Sequence, residues 1–228
     1  MAADAGVVIV AAGAGVRAGP GEPKQFRPIL GVPMLLRALR PFTSHPEVAQ
    51  VVVTLPDIYV ERPPEWLAKL RGERLALVAG GETRARSVRA GLAALPPDVA
   101  VVLVHDAARP FVSRTTIDAV LALARTGVGA VAALPVSDTL KEVDKTRIVG
   151  TVPRERLWRA QTPQGFPRDM LRQAYARLGG SDNAPTDDAS LCEQAGFPVE
   201  VVLDGPENVK VTTADDFRVA EALARESR

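Results

Sequence analysis

The sequence has a single cysteine, Cys192, among its 228 residues. One cysteine cannot form an intrachain disulfide, and the absence of a histidine and cysteine cluster removes any sign of a structural zinc site. This scarcity favours the reducing cytoplasm as the location.

An excess of charge of one sign is also missing, because the chain has 28 basic and 27 acidic residues and its formal net charge is +1. We therefore expect neither nucleic acid nor an anionic membrane surface as a partner.

Long hydrophobic runs are absent as well. No apolar run reaches the length of a membrane-spanning helix, about 20 residues. The first residues lack the basic and apolar regions of a signal peptide and lead directly into the short apolar run 7–10. With 228 residues and 46% hydrophobic content, we expect one domain that spans residues 1–228, without a further fused catalytic domain.

Short β-branched runs alternate along the chain with longer segments of helical periodicity. The predicted strands cover residues 7–12, 48–55, 75–78, 101–105 and 130–134, and helices are predicted at 34–42, 87–95, 115–125 and 213–225. This alternation is typical of a mostly parallel, twisted sheet with helices on both faces. The expected fold class is therefore α/β and Rossmann-like.

The alternation breaks between residues 136 and 158. Two strand-like segments, 137–143 and 147–149, flank a polar turn at 144–146. We interpret this region as a protruding β-hairpin arm inserted in the domain. A lone hairpin is marginally stable in water, so the apolar Ile148, Val149 and Val152 favour packing against a second copy of the chain. The hypothesis is a homodimer formed through the arm.

The loop after the first predicted strand is rich in alanine and glycine. It reads A-A-G-A-G-V-R-A-G over residues 11–19 and is followed by P-K-Q at 23–25. Small residues allow a ligand to approach the backbone N–H groups, and ligands of open α/β sheets bind beyond the carboxyl ends of the strands. Arg17 and Lys24 add two positive charges at the same place. A tight turn without a ligand is the alternative explanation of the glycines.

Two common nucleotide-binding motifs are not matched by this loop. The dinucleotide fingerprint G-x-G-x-x-G fails because position 18 is Ala18, and no G-K-[ST] sequence of a P-loop follows. Both mismatches weigh against an ordinary dehydrogenase and against a P-loop kinase. An oxidoreductase stays open on fold class alone, because fold does not imply function.

The pattern A-A-G-x-G-x-R followed by P-K-Q resembles the nucleotidyltransferases that make CDP-sugar alcohols. More specifically, the chain resembles the 2-C-methyl-D-erythritol 4-phosphate cytidylyltransferase family of non-mevalonate isoprenoid biosynthesis. Six further motifs extend the resemblance in order along nearly the whole chain: G-G-E-T-R at 80–84, H-D-A-A-R-P at 105–110, D-T-L-K at 138–141, T-P-Q at 162–164, T-D-D-A at 186–189 and N-V-K-V-T at 208–212.

The resemblance implies that the phosphate of a sugar alcohol attacks the α-phosphorus of CTP and releases pyrophosphate. This chemistry needs alignment and charge neutralisation rather than a covalent nucleophile. Arg17 and Lys24 match the catalytic cations of the family. Asp106, which follows a predicted strand, matches its Mg²⁺ ligand. The alternatives are solvated loop charges for Arg17 and Lys24 and a helix or turn cap for Asp106.

Two sets of binding residues also follow from the resemblance. The residues implied for CTP are Ala11, Ala12, Gly13, Ala14, Gly15, Gly81, Glu82, Ser87, Ala107 and Lys210. The residues implied for the sugar-alcohol phosphate are Asp106, Arg109, Thr139, Arg154, Thr162, Thr186 and Lys210, a set rich in hydroxyl groups and cations. Thr139 and Arg154 belong to the arm, so each site would be shared across the dimer. A helix cap for Ser87, a strand-end lysine for Lys210 and simple exposure on the arm are the alternatives.

Two other functions are compatible with parts of this sequence pattern. Ribitol-5-phosphate cytidylyltransferase is the nearest alternative, and Arg154 together with T-P-Q at 162–164 favours methylerythritol phosphate over it. A non-catalytic nucleotide-binding regulatory protein would be expected to lack Arg17, Lys24 or Asp106, and all three are present.

Two further residues are expected to have no catalytic role. His105 ends a buried strand and is expected to be structural. Cys192 is expected to be inert on a helix.

Overall fold

The computed structural model of the protein describes residues 3–13, 23–178 and 186–226. Its strands are β1 (Ala5–Val10), β2 (Pro28–Ile29), β3 (Val32–Pro33), β4 (Val48–Leu55), β5 (Leu75–Ala79), β6 (Val101–Asp106), β7 (Gly129–Pro135), β8 (Leu140–Asp144), β9 (Arg147–Val152), β10 (Trp158–Pro167) and β11 (Val199–Leu203). Its helices are α1 (Met34–Thr43), α2 (Asp57–Glu61), α3 (Glu65–Ala68), α4 (Arg84–Ala94), α5 (Arg114–Ala124), α6 (Arg168–Leu178), α7 (Asp188–Gln194) and α8 (Ala214–Glu226).

Seven strands form the central sheet in the order β11-β7-β10-β6-β1-β4-β5. Strand β10 is antiparallel to both of its neighbours, β6 and β7, whereas the other neighbouring pairs are parallel. The predicted fold class, a mostly parallel α/β sheet flanked by helices, is thereby confirmed. Strand β1 begins and ends two residues earlier than predicted, so Ala11 and Ala12 follow the strand instead of closing it.

Alternate residues of the central strands enter two cores on opposite faces of the sheet. In β1, Val7 and Ile9 pack with residues of α1 and α5, whereas Val8 packs with residues of α4, α6 and α7. Successive side chains of a strand point to opposite faces, and helices cover both faces here. This arrangement explains why these strands are apolar throughout. Full burial of each such side chain stabilises the fold by roughly 1.5–3 kcal/mol.

Helix α4 packs closely on β1 and leads into the site. It starts three residues before the predicted position 87, and the Thr83 Oγ1 caps it by accepting a hydrogen bond from the Arg86 N–H at 3.2 Å. Ser87 is therefore not the N-cap. A Cβ atom added at Gly91 would lie 2.4 Å from the Val8 Cγ1, so glycine at this position permits the close approach of helix and strand.

The hairpin arm is present, and it forms a separate two-stranded sheet of β8 and β9. The arm is closed at its base by a hydrogen bond from the Val136 N–H to the Leu157 carbonyl at 3.0 Å. Its apolar residues Val143, Ile148 and Val149 are 49%, 59% and 55% exposed. The single chain thus leaves the arm's apolar side chains in contact with water.

A smaller apolar cluster joins α8 to the β2–β3 turn. It contains Ile29, Met34, Val211 and Ala220 among its buried members. This packing places the segment before α8 beside the segment after β1, and the Lys24 Nζ donates a hydrogen bond to the Val211 carbonyl at 3.2 Å. In the described part of the chain, no helix has both the length and the apolar character that crossing a membrane requires.

Candidate active site

A cavity of about 600 Å³ lies beyond the carboxyl ends of β1 and β6. Ligands of open α/β sheets bind at this edge. Residues 11–13, which follow β1, form one wall, and residues 81–84, between β5 and the first residue of α4, form another. Asp106 stands at the end of β6, and Lys24 and Lys210 add two cations to the lining. The cavity therefore combines close backbone approach with concentrated charge.

The topology gathers ten of the predicted site residues around this cavity. They come from separate segments of the sequence, and they meet because the carboxyl ends of parallel strands share one sheet edge. The predicted residues Ala14, Gly15 and Arg17 lie outside the described residues. The ten residues in the lining are Ala11, Ala12, Gly13, Lys24, Gly81, Glu82, Ser87, Asp106, Ala107 and Lys210.

Two glycines let the loop before α4 pack tightly against its neighbours. A Cβ atom at Gly80 would lie 2.4 Å from the Ala12 Cβ, and one at Gly81 would lie 2.3 Å from the Arg86 Cβ. The Ser87 Oγ accepts a hydrogen bond from the Gly81 N–H at 3.1 Å. The hydroxyl thus holds the loop on the first turns of α4, which leaves fixed main-chain groups at the cavity wall.

Gln25 fixes the other wall, and sequence reasoning gave it no role. Its side chain is buried, and its Nε2 donates a hydrogen bond to the Ala11 carbonyl at 3.0 Å. The Gln25 carbonyl accepts from the Leu35 N–H at 2.8 Å. The P-K-Q motif was the available signal: the glutamine holds the main chain at Ala11, while the neighbouring Lys24 lines the cavity.

Asp106 forms ion pairs with two cations that also line the cavity. The Lys210 Nζ lies 2.6 Å from its Oδ2, and the Arg84 Nε lies 3.6 Å from its Oδ1. Burial alone would raise the pKa of the Asp106 carboxyl, but the charges of Lys210 and Arg84 outweigh burial and hold this pKa at about 2. The carboxylate is therefore ionised at neutral pH.

The donor set of the cavity fits a magnesium ion held jointly with phosphates. Mg²⁺ prefers hard oxygen ligands and binds through one or two carboxylates together with waters and phosphate oxygens. Among the described lining residues, the carboxylates are those of Glu82 and Asp106. Asp106, which is ionised and nearly buried at the end of β6, is the residue that could hold the ion.

A second group of potential metal ligands, His45, Glu47 and Asp118, lies at the opposite edge of the sheet. The His45 Nε2 is 2.8 Å from the Asp118 Oδ1, and the His45 Nδ1 accepts a hydrogen bond from the Glu47 N–H at 3.1 Å. The carboxylates of Asp118 and Glu47 also pair with Arg114 and Arg125. Hydrogen bonds and ion pairs account for this group without a metal.

Thr162, predicted to bind the sugar-alcohol phosphate, is buried behind Asp106 and belongs to a hydrogen-bonded chain. The Asp106 N–H donates a hydrogen bond to the Thr162 Oγ1 at 3.0 Å. The same Thr162 Oγ1 lies 3.0 Å from the His105 Nδ1. The His105 Nε2 contacts the Arg109 carbonyl at 2.9 Å. A carbonyl only accepts, so Nε2 carries the proton and Nδ1 accepts from the Thr162 hydroxyl. Burial lowers the pKa of His105 to about 4, which keeps this ring neutral.

Arg109, another predicted substrate residue, is also tied to the protein itself. Its Nη1 donates to the Asn208 carbonyl at 2.7 Å, and burial lowers the pKa of its guanidinium. The Asn208 Nδ2 in turn donates to the Thr162 carbonyl at 2.8 Å and to the Asp204 Oδ2 at 2.6 Å. This network fixes the segment that carries Lys210. The N-V-K motif was the signal for Asn208, whose own role sequence reasoning missed.

The remaining predicted substrate residues are not part of the cavity lining in the single chain. Thr139 and Arg154 are exposed at the arm, where the Arg154 Nη1 donates to the Ser137 carbonyl. Thr186 is exposed two residues before α7. The five predicted residues outside the cavity lining are thus Arg109, Thr139, Arg154, Thr162 and Thr186.

Arg84 and Asp188 are charged residues near the cavity to which the sequence assigned no function. Arg84 lines the cavity, and its Nη2 lies 2.7 Å from the Asp188 Oδ2. Both residues belong to motifs quoted above, G-G-E-T-R and T-D-D-A. Membership of these motifs was the only signal, because the ion pair joins residues that are far apart in sequence.

The fold and the cavity define a nucleotide-binding α/β enzyme of the nucleotidyltransferase class. A sequence model of the 2-C-methyl-D-erythritol 4-phosphate cytidylyltransferase family matches residues 5–226, and the chain belongs to this family. This result confirms the resemblance drawn from the motifs.

Individual proteins of the family are similar over nearly the full chain. The 2-C-methyl-D-erythritol 4-phosphate cytidylyltransferase of Salinibacter ruber is 43% identical over 95% of this chain and 91% of its own length. The protein of the same name from Streptomyces avermitilis is 44% identical over 97% of this chain and 92% of its own length. The crystal structure of the Thermus thermophilus enzyme of this name is similar to this fold, with a TM-score of 0.81. The two sequences are 37% identical, and the comparison covers 96% of this chain and 98% of the Thermus thermophilus chain.

Proposed function

We propose that this protein joins CMP from CTP to 2-C-methyl-D-erythritol 4-phosphate, which gives 4-diphosphocytidyl-2-C-methyl-D-erythritol and pyrophosphate in non-mevalonate isoprenoid biosynthesis. The observation that carries the proposal is the meeting of Lys24, Asp106 and Lys210 at one cavity beside the main chain of residues 11–13. Family membership names the reaction, and the cavity supplies the groups that the reaction needs.

The reaction is an in-line displacement at phosphorus. A phosphate oxygen of the sugar-alcohol phosphate forms a bond to the α-phosphorus of CTP, while the bond from this phosphorus to the bridging oxygen breaks and pyrophosphate leaves with the electron pair. The acceptor already carries a charged nucleophile, so no general base is required. Lys24 and Lys210 neutralise the charge that develops on the phosphates, and each aimed donor of this kind can supply roughly 3–4 kcal/mol. Arg17 has the same role in this proposal.

Asp106 is the proposed Mg²⁺ ligand. A magnesium ion at this carboxylate would neutralise triphosphate charge and orient the phosphates. Asp106 is suited to this role because Lys210 and Arg84 keep it ionised and because the Thr162 hydroxyl fixes its backbone N–H. The residues of the chain therefore present a charged oxygen at a fixed place before the nucleotide arrives.

Cytosine is proposed to bind along the main chain of Ala11, Ala12 and Gly13, with Gly81, Glu82 and Ser87 on the facing wall. Fixed backbone donors and acceptors can read the edge of a pyrimidine. The tight packing of Gly80 and Gly81 supports a narrow base site, because it leaves the two walls little freedom to separate. We expect CTP to be preferred over purine nucleotides for this reason.

A homodimer formed through the arm is the proposed assembly. The support is the exposure of Val143, Ile148 and Val149 on a hairpin that makes its own small sheet. In a dimer the arm's Thr139 and Arg154 would reach the partner's cavity and contact the sugar-alcohol phosphate there. CTP and phosphorylated sugar alcohols are metabolites of the cytoplasm, where we place the protein.

Pyrophosphate release with CTP and Mg²⁺ tests the proposed function. The acceptors to compare are 2-C-methyl-D-erythritol 4-phosphate, ribitol 5-phosphate and none, with the wild type, Lys24→Ala and the exposed-lysine control Lys69→Ala. We expect turnover with the first acceptor alone, its loss in Lys24→Ala and its retention in Lys69→Ala. Turnover with ribitol 5-phosphate only would replace the substrate and keep the mechanism. No turnover with either acceptor would defeat the catalytic proposal and favour a regulatory nucleotide-binding protein.

A further inference from the structure

A fully buried carboxylate lies outside the cavity lining and is connected to it through one arginine. Asp188, the first residue of α7, has no exposed surface, and its Oδ1 accepts a hydrogen bond from the Tyr175 hydroxyl of α6 at 2.5 Å. A buried carboxylate is costly unless it is paired. Among the described residues, the cation that pairs with Asp188 is Arg84, whose Nη2 lies 2.7 Å from the Asp188 Oδ2.

A second nitrogen atom of the same guanidinium group lies near Asp106, at the cavity. The Arg84 Nε lies 3.6 Å from the Asp106 Oδ1, while Lys210 occupies the Asp106 Oδ2 at 2.6 Å. Each oxygen of Asp106 therefore faces a different cation, one from α4 and one from the segment before α8. Two such contacts restrict the orientation of the carboxylate.

The protonation states of Arg84 and Tyr175 agree with this arrangement. Burial opposes the charge of Arg84, but Asp188 and Asp106 outweigh burial and raise its pKa, so that Arg84 stays cationic. Burial and the neighbouring Asp188 raise the pKa of Tyr175, which keeps its hydroxyl protonated as a donor. Tyr175, Asp188 and Arg84 thus form a continuous polar connection from α6 to the cavity.

We infer that Arg84 is a positioning residue for Asp106, and that Asp188 and Tyr175 act through Arg84 to fix the Asp106 carboxylate at the cavity wall. Arginine suits this position because its planar, rigid group presents different nitrogen atoms to two carboxylates, whereas lysine has one nitrogen atom. Groups that hold a metal ligand in place affect metal affinity or activity by about 10- to 100-fold. The inference rests on the proposed function, since it assigns Asp106 to Mg²⁺.

The experiment compares Arg84→Lys, Asp188→Asn and Tyr175→Phe with a matched control, Arg89→Lys, which changes an exposed arginine of the same helix. One readout is the Mg²⁺ concentration that gives half-maximal velocity at saturating substrates. A second readout, independent of turnover, is the rise in Tm that CTP with Mg²⁺ produces in the absence of acceptor. The Tm of each unliganded variant reports on stability separately.

We expect Arg84→Lys and Asp188→Asn to raise the Mg²⁺ concentration for half-maximal velocity by about tenfold or more. Both variants should also show a smaller rise in Tm with CTP and Mg²⁺. Tyr175→Phe should lie between these variants and the wild type in both readouts. Arg89→Lys should match the wild type in both readouts. A wild-type Mg²⁺ requirement in folded Arg84→Lys would overturn the inference, as would an effect confined to the unliganded Tm. If Asp188→Asn does not fold, Arg84→Lys decides the question. An inactive wild type would instead defeat the proposed function.

Discussion

The chemistry of Asp106 is set by residues from four parts of the fold. Its own strand, β6, ends at the cavity, and Arg84 of α4 and Lys210 supply the two neighbouring cations. The Thr162 hydroxyl of β10 accepts a hydrogen bond from the backbone N–H of Asp106. An isolated aspartate would bind Mg²⁺ weakly in competition with water. Here the surrounding charges keep the carboxylate ionised, and the contacts restrict its orientation.

Removal of one cation at this carboxylate should reduce catalysis. Lys210→Met keeps the length of the side chain and removes its charge, and we expect kcat/KM to fall by roughly 10²–10³-fold, the range for a lost transition-state donor. Steady-state kinetics with CTP and 2-C-methyl-D-erythritol 4-phosphate measures the effect. Lys69→Met, at an exposed lysine paired with Glu65, is the control. Equal values of kcat/KM in the two variants would contradict the role of Lys210.

The buried His105 should make stability depend on pH. Its pKa is about 4 in the folded protein and about 6.5 in an unfolded chain. Because the folded value is the lower one, the unfolded state binds the proton first as the pH falls. The free energy of unfolding should therefore decrease as the pH falls, by about 1.6 kcal/mol between pH 6.5 and pH 5 from this group.

Urea denaturation of the wild type and of His105→Gln between pH 5 and pH 8 measures this contribution. The variant should be less stable at pH 7, since the hydrogen bonds to Thr162 and Arg109 are altered, but its stability should vary less between pH 6.5 and pH 5. Above pH 7 the two curves should run parallel. Parallel curves over the whole range would show that His105 is not the group responsible.

Helix α4 shows how one element depends on a single small residue. The helix brings Ser87 and Arg84 to the cavity while it packs on β1 at Gly91, where an added Cβ would lie 2.4 Å from the Val8 Cγ1. Elsewhere in a helix, glycine is about 1 kcal/mol less favourable than alanine. Here the close packing of α4 on β1 outweighs helix propensity, because the methyl group of an alanine would overlap with the Val8 side chain.

Gly91→Ala should destabilise the protein by about 1–3 kcal/mol, the usual range for overpacking. Gly72→Ala is the matched control, since an added Cβ there meets no described atom within 4 Å, and its effect should stay within about 0.5 kcal/mol. The difference in the free energy of unfolding, measured in urea, separates the two. A Gly91→Ala variant as stable as the control would mean that α4 shifts at little cost.

At the scale of the whole molecule, the arm exposes apolar side chains that the single chain does not bury. The main domain has two large apolar cores, whereas the arm has no core of its own and leaves Ile148 and Val149 mostly exposed. A two-stranded hairpin of this kind gains little stability alone. Association with a second copy would bury these side chains and carry Arg154 toward a second cavity.

Ile148→Glu should therefore weaken self-association, which sedimentation or light scattering measures at several protein concentrations. We expect a dimer for the wild type and a shift toward monomer for the variant, with a loss of turnover if the arm contributes to the partner's site. Ile58→Glu, at an equally exposed isoleucine of α2, should stay dimeric. A monomeric wild type with full activity would contradict both the assembly and the shared site.

Much of the fold could be predicted because local sequence determined it. Strand β4 was placed at its observed bounds, since a run of β-branched residues buried on both faces has few other conformations. Strand β10 was not predicted. Its sequence, W-R-A-Q-T-P-Q-G-F-P, is polar and contains two prolines, and only pairing with β6 and β7 on either side makes it a central strand.

The sequence by itself determined the fold class, the family and the cavity's central residues Lys24, Asp106 and Lys210, because short motifs record which side chains follow each strand. The tertiary structure alone decided how these residues are supported. Contacts between distant segments, such as Arg84 with Asp188 or Arg109 with Asn208, leave no local pattern in a sequence. They arise from packing, which brings charges together in a buried environment where each carboxylate and guanidinium group needs a partner.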